Sequence, residues 1–362
     1  MKVLHLMVSG QAGGIESLLR DYVEYSRHEN LFLFAWDGGP AAERIAQCGC
    51  RVVLMDKQKQ GARAVCKRIL ELCEEERVDA IIAHHAAPML RLVAMAAKWK
   101  NPKRKVIWYA HSNAFELCDG RRKKGLALRK WIYRATFSRA DAAVAISHSV
   151  KDSLVQYLGL PEGRITVIHN GAILERFHRT KTVGRKPLRL IYVGRLIEEK
   201  GVQTILSAFA RLQDVDCRLR VVGDGDYREA LQTLAGELGI DGKVQFLGTR
   251  TDVPALLEAA DVFIHVPDCA EGFGIAVVEA MASGLICVCG DRGALPEIVS
   301  DGSNGFIVEN NDPERLAQLL RAIAEDPDSE MYEKIRANAV EASRQFSIEA
   351  FSAKLDNLVE EA

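Results

Sequence analysis

Short apolar runs alternate with longer amphipathic stretches along almost the whole chain. Runs over 3–8, 31–36, 52–55, 80–83, 105–110, 142–146 and 166–168 have the β-rich, largely apolar character of strands covered on both faces. Between them, apolar residues at helical spacing predict helices over 15–26, 62–76, 89–98 and 150–158. Such alternation builds a parallel, doubly wound sheet. The pattern lapses over 175–187, a polar and basic stretch with Gly184 and Pro187 that predicts a linker. It restarts with strands over 188–193, 219–222, 244–247, 262–266 and 285–289, and helices over 202–211, 227–238, 253–258 and 275–282. Beyond Asp312 only helical pattern remains, over 316–324, 331–342 and 348–358. The expected fold class is α/β, with two Rossmann-like domains over 1–174 and 188–345 and a terminal helix, 346–362, that packs back on the first. In open parallel sheets the ligand sits beyond the carboxyl ends of the strands. The expected site is therefore a central cleft between the two sheets.

Composition narrows the class. A chain of 362 residues exceeds one ordinary core, and 48% hydrophobic with 27% charged residues excludes a disordered or fibrous protein. The net charge of −1 offers no global field for nucleic acid. The average conceals a basic stretch from Lys98 to Arg139, which holds 13 Lys and Arg against Glu116 and Asp119. Nine cysteines are scattered without a C-x-x-C pair, the pattern of reduced thiols in a cytoplasmic protein. The first eight residues read as a strand, because Gly10 and Gly13-Gly14 follow where a signal peptide would carry a cleavage site. Nowhere do 18 consecutive apolar residues occur.

Candidate chemistry gathers at the carboxyl ends of the predicted strands. After the strand at 262–266 come Glu271, Gly272, Phe273 and Gly274, then a helix carrying Ile275, Ala276, Val277 and Glu279. The glycines permit a sharp turn, and a helix opening at Gly274 presents unpaired N–H groups of 275–277 to an anion. The rise from Gly274 to Glu279 is about 7.5 Å, roughly a diphosphate's length. Arg195 and Lys200 lie on the loop after 188–193, a planar fork and a point charge suited to a diphosphate. Gly13, Gly14 and His111 occupy corresponding strand ends in the first domain. A capped helix and a solvated basic loop are the plain alternatives.

Gly13-Gly14-Ile15-Glu16, Val193-Gly194-Arg195-Leu196 with Lys200-Gly201, Gly223-Asp224-Gly225 and Glu271-x7-Glu279 together resemble the retaining glycosyltransferases of the GT4 family, which have the GT-B fold. Ala294-Leu295-Pro296-Glu297 and Asp301-Gly302-x-Asn304-Gly305 fit the same pattern. The resemblance implies transfer of a sugar from a nucleoside-diphosphate sugar, UDP-sugar by default, to a hydroxyl of a glycan, lipid-linked or small-molecule acceptor. It implies that Arg195 and Lys200 bind the diphosphate, Glu279 the ribose, and Glu271 the donor sugar. Backbone groups of Gly274, Ile275, Ala276 and Val277, with Gly194, Gly223 and Phe273, would line the donor site. Gly13 and Gly14 would approach the phosphate from the first domain, His111 would lie near the reacting centre, and Arg250 near the nucleobase. It implies no cofactor and no metal, the cations standing in for one.

Asp224-x-Asp226 and Asp214-x-Asp216 mimic a metal-holding D-x-D, but turn and helix-entry acids explain them as well. His84-His85 is either an acceptor contact or a plain strand-end pair, and His5 inside a strand reads as a satisfied core histidine. An epimerase of the same fold and an inactive partner subunit remain alternatives to a transferase. In the basic stretch, Trp99, Leu128, Trp131 and Ile132 interleave with cations, including Arg121 to Lys124. That suits peripheral contact with an anionic membrane on its cytoplasmic face. A core face backed by solvated arginines and a groove for an acidic acceptor are the competing readings.

Overall fold

The computed structural model describes residues 1–11, 13–84, 87–114, 126–178, 187–309 and 312–362. The chain divides into two compact units, one of Met1–Ala172 with Ile348–Ala362, the other of Ile173–Ser347.

The first unit runs β1 (Lys2–Ser9), α1 (Gly14–Tyr25), β2 (Glu29–Asp37), α2 (Pro40–Gln47), β3 (Arg51–Leu54), α3 (Lys57–Glu75), β4 (Ala80–Ala83), α4 (Pro88–Lys100), β5 (Lys105–Ala110), α5 (Leu126–Phe137), β6 (Ala142–Ala145), α6 (His148–Leu158) and β7 (Ile165–Val167). All seven strands are parallel in the order β3-β2-β1-β4-β5-β6-β7. The strand order reverses between β1 and β4, the place where doubly wound sheets bind ligands. The central strands are largely apolar because helices cover both faces, and Phe32, Phe34, Ile81 and Ile107 are fully buried, with His5 and Asn30 as buried polar exceptions.

The second unit runs β8 (Leu188–Val193), α7 (Val202–Phe209), β9 (Cys217–Val222), α8 (Arg228–Glu237), β10 (Val244–Gly248), α9 (Val253–Glu258), β11 (Val262–His265), α10 (Ile275–Ala282), β12 (Ile286–Gly290), α11 (Leu295–Ile298), β13 (Phe306–Val308), α12 (Pro313–Glu325) and α13 (Glu330–Ser343). Its parallel sheet has the order β10-β9-β8-β11-β12-β13, reversing between β8 and β11. The last helix, α14 (Ile348–Glu361), belongs to the first unit. There the buried Asp356 accepts from the Tyr22 hydroxyl at 2.6 Å and the Arg27 N–H at 2.7 Å.

Three elements were not anticipated from the sequence. Helix α2 starts on Pro40 at its first position, α11 is only four residues long, and β13 only three. Helix α3 extends back to Lys57 across a kink at Gly61, whose φ is 79°. Of the expected linker, only 175–178 and 187 fall within the described residues, as do none of His85, Phe115 or Arg121 to Lys124.

The basic stretch carries less available charge than its sequence total. Lys98 holds Asp141 at 2.6 Å, and the buried Arg104 donates to the carbonyls of Val78, Ala97 and Cys73. Lys105 reaches the carbonyls of Val359 and Glu360, and Arg134 that of Leu158. The apolar residues also sort differently from a simple core face. Tyr133, Thr136 and Phe137 form the buried side of α5, whereas Leu128 and Trp131 point outward, with Trp131 64% exposed. Among the described residues no helix is long and apolar enough to cross a membrane.

Candidate active site

The second unit assembles a charged cluster where its strand order reverses. Backbone bonds lace three strand ends together there: the Gly194 N–H donates to Val222 O at 3.0 Å, and the Gly223 N–H to Gly248 O at 2.9 Å. Gly223 sits at φ 130°, and a Cβ on it would lie 1.9 Å from the Gly194 carbonyl oxygen. No other residue fits that approach. This packing holds the loop that carries Arg195, which is exposed, and Lys200, which is half-buried.

Lys200 Nζ lies 2.6 Å from Glu271 Oε2, with both side chains 14% exposed. His265, the last residue of β11, places Nε2 2.8 Å from the same carboxylate oxygen. Burial alone would raise the Glu271 pKa, but His265 and Lys200 outweigh it and hold the carboxyl well below the usual carboxylate range. The Glu271 backbone is fixed as well. Gly293, at φ 72°, is pressed so close that a Cβ would lie 2.3 Å from both Glu271 N and Glu271 O. Next to it, the Ala294 N–H donates to Glu271 O at 2.9 Å.

Gly274 caps α10 at φ 103°. Its carbonyl accepts from the Val277 N–H at 2.9 Å, so Val277 is not among the open donors that the sequence suggested. The bond is a tight first turn, in which the cap carbonyl satisfies the third residue. Ile275 and Ala276, half-buried, make up the first turn, and Glu279 is half-buried farther along the helix. The Phe273 ring points inward and packs edge-on against Phe346 at 5.5 Å, so it forms core instead of lining a donor pocket. Arg250 is bound to its neighbour Asp252 by two 2.7 Å bonds, both groups exposed. The D-x-D segments are taken up by arginines: Arg228 binds Asp224 at 2.9 Å and Arg321 binds Asp214 at 2.5 and 2.9 Å.

A series of imidazoles leads to the corresponding edge of the first unit. Gly13 caps α1, and its carbonyl accepts from the Ser17 N–H at 3.0 Å. Gly14 opens the helix, and among the described residues nothing lies within 4 Å of where a Cβ would stand. His111 follows β5 and is half-buried. Its Nε2 lies 2.9 Å from His84 Nδ1; His84 Nε2 lies 2.8 Å from His5 Nδ1; and His5 Nε2 lies 2.8 Å from Asn30 Oδ1. His5 stacks on Phe32 at 4.6 Å and His111 on Tyr109 at 4.3 Å. Burial lowers the His5 pKa from 6.5 to about 4, against the raising effects of Asn30 and Asp356.

Sequence reasoning missed His265, Gly293 and Asn30. A polar residue closing an apolar strand was the available signal for His265. Gly293 and Asn30 carried none, since their partners are distant in sequence.

The glycosyl transferases group 1 model matches residues 175–342, and the glycosyltransferase family 4 model residues 9–176. N-acetyl-alpha-D-glucosaminyl L-malate synthase of Bacillus anthracis is 26% identical over 301 residues, covering 80% of this chain and 75% of that one. The D-inositol 3-phosphate glycosyltransferase of Corynebacterium efficiens is 31% identical over 62% of this chain and 57% of its own length. The putative colanic acid biosynthesis glycosyltransferase WcaL of Escherichia coli is 30% identical over 63% of this chain and 58% of its own. The match to these last two thus spans little more than half their length. Among solved structures, Anabaena HepE in complex with UDP and glucose superposes with a TM-score of 0.87 over 100% of both chains at 23% identity. The lipopolysaccharide outer core galactosyltransferase WaaB gives 0.77 at 18% identity, over 100% of this chain and 99% of that one. At these identities the likeness is one of fold.

Proposed function

The chain belongs to the GT4 family of glycosyltransferases, and from that premise we propose that it moves a sugar from a nucleoside-diphosphate sugar to an acceptor hydroxyl with retention of configuration and without a metal. The observation that carries the reading is the Lys200–Glu271–His265 cluster beside the start of α10. A cation fixed in a partly desolvated loop, next to a helix N-terminus, is preorganised for a leaving diphosphate. Glu271 orients Lys200 and offers the donor sugar its second oxygen. Arg195 adds a second cation, and Glu279 meets the ribose. Within the first unit, Gly13, Gly14 and His111 are the candidate binding residues. The neighbour HepE was solved with UDP, which makes a UDP-sugar the first donor to try; the acceptor is a glycan, lipid-linked or small-molecule hydroxyl. A thermal-shift panel of nucleoside diphosphates and their sugars tests this, since a ligand that binds only the native state raises stability. UDP should raise Tm most, and incubation with UDP-sugar alone should give at most slow hydrolysis. A new sugar nucleotide formed without acceptor would instead mean epimerisation.

The same reading extends to peripheral membrane contact. Trp99 at the end of α4 is 88% exposed, and Leu92, Leu128 and Trp131 are exposed as well. An open groove of about 670 Å³ lies among Leu92, Met95, Trp99 and Pro102, flanked by Lys98 and Arg139. Exposed tryptophans beside cations suit the interface of an anionic bilayer. Sedimentation with phosphatidylglycerol vesicles should recover the protein at low salt, less at high salt, and less for the Trp99→Ala, Trp131→Ala double variant. Equal recovery with neutral vesicles would end the idea.

A further inference from the structure

The imidazole chain of the first unit crosses the sheet through strands that are neighbours in space: Asn30 on β2, His5 on β1, His84 after β4, His111 after β5. Asn30, His5 and His84 are buried. Hydrogen bonds in series between neutral rings share one direction, because each ring has one N–H and one lone pair. One end must set that direction, and Asn30 does so. Its Nδ2 lies 3.0 Å from the His28 carbonyl oxygen, which can only accept. The amide nitrogen is thereby committed to His28, and Oδ1 is left facing His5 Nε2 at 2.8 Å.

The consequence propagates. His5 must carry its proton on Nε2 to donate to Asn30 Oδ1, so its Nδ1 accepts. His84 must then donate from Nε2 and accept at Nδ1. His111 must donate from Nε2 to His84 Nδ1 across 2.9 Å. An imidazolium at His84 would instead be a charge in a site 1% exposed, with imidazole nitrogens as its ring partners. We propose that Asn30, His5 and His84 are positioning residues that hold His111 as the Nε2–H tautomer, with Nδ1 as its accepting nitrogen. Whatever meets His111 through Nδ1 must therefore donate a hydrogen bond, as a hydroxyl does and a diphosphate oxygen does not. For transfer, this rests on the reading above and deepens it: His111 acts as a neutral ring of fixed orientation, whose buried Nδ1 is closed to an acceptor-only group.

Long-range proton–nitrogen correlation spectra of the ¹⁵N-histidine-labelled full chain test the tautomers without any substrate. His5, His84 and His111 are each expected to show protonation at Nε2 alone at pH 7.5, and His111 seen protonated at Nδ1 would overturn the proposal from the wild-type spectrum itself. His84→Gln keeps an acceptor toward His111 and a donor toward His5, and should preserve the His111 pattern; folded His84→Phe should release it to a mixture of tautomers. In a transfer assay, His84→Phe should lower kcat roughly 10- to 100-fold, leave the donor KM within about twofold, and be rescued by His84→Gln. A released tautomer with unchanged kcat would refute the positioning role. Absence of transfer by the wild type with every sugar nucleotide would refute the proposed function while leaving the spectra to decide the tautomers.

Discussion

The two sheets end on different chemistry. At the second unit's switch point a lysine, a histidine and a glutamate converge on one carboxylate oxygen, with an exposed arginine on the same loop. In the first unit the imidazoles of His111, His84 and His5 run in series from the ends of β5 and β4 into β1 and finish on the Asn30 amide, with no ion pair among the links. A partly buried ion pair contributes little to folding, because desolvation offsets most of its Coulomb gain. The charged end is thus suited to meet charge that changes during a reaction. The neutral end holds direction, and gains its strength from every member being satisfied.

The largest expected effect tests the charged end. Lys200→Ala should reduce single-turnover transfer by roughly 10²- to 10³-fold, the loss typical of one preorganised electrostatic group. Glu271→Gln should cost a similar factor, since it frees Lys200 from its 2.6 Å partner. Because the two act as a pair, the double variant should fall well short of the product of the single losses. Full additivity would show that they work separately, and a smaller loss for Lys200→Ala than for His84→Phe would reverse the ranking of the two ends.

The neutral end should show itself in acid. His5 titrates from 6.5 to about 4 on folding, because burial disfavours its charged form. Its contribution is fully present above pH 6.5 and is lost as pH falls toward 4, where the unfolded chain binds a proton that the folded one refuses. The size is roughly 3 kcal/mol at 1.36 kcal/mol per unit. The groups facing His5 are Asn30, His84, Tyr22, His28 and Asp356, and Asp356 works against the shift. Urea unfolding of wild type and His5→Gln between pH 7 and 4.5 would check this: the variant is less stable but should lose most of the slope. Parallel slopes would place the acid sensitivity elsewhere.

The comparison also explains what could be read in the sequence. The charged end was legible because its parts are local: Arg195 and Lys200 share one loop, and Glu271 to Glu279 one loop and helix. Strands such as Ala80–Ala83, Lys105–Ala110 and Leu188–Val193 were legible because burial on both faces leaves a continuous apolar run. The relay was not. His5, Asn30, His84 and His111 come together only through the β2-β1-β4-β5 order, and period-2 or period-3.6 patterns say nothing about which strands are neighbours. The outward turn of Trp131 was hidden for a related reason, since the buried face of α5 is chosen by its packing against α4. Strand β13 was lost because three residues carry too little pattern.

A smaller effect probes the first unit's glycines. Among the described residues a Cβ at Gly14 meets nothing within 4 Å, and the residue opens a helix. Gly14→Ala should fold normally and gain about 0.4–1 kcal/mol from the stiffer unfolded chain. If the donor phosphate passes over that backbone, the added methyl should weaken donor binding about tenfold, or about 1.4 kcal/mol. Calorimetry with UDP beside a thermal melt separates the two. A raised Tm with unchanged affinity would remove Gly14 from the donor site.

The smallest expected effect is none at all. If Lys200 and Arg195 supply the positive charge, EDTA should leave the transfer rate unchanged. Each of the two D-x-D segments has one carboxylate already engaged within the protein: Asp214 by two bonds from Arg321, Asp224 by Arg228 and by the Gly225 N–H at 2.9 Å. Arg321 holds the Asp214 carboxyl below its usual range, which keeps it ionised but committed. A divalent ion would have to displace a guanidinium from either pair. Loss of activity in EDTA that Mn²⁺ or Mg²⁺ restores, in a protein whose melting temperature the chelator does not change, would mean that an ion shares the work assigned here to Lys200 and Arg195.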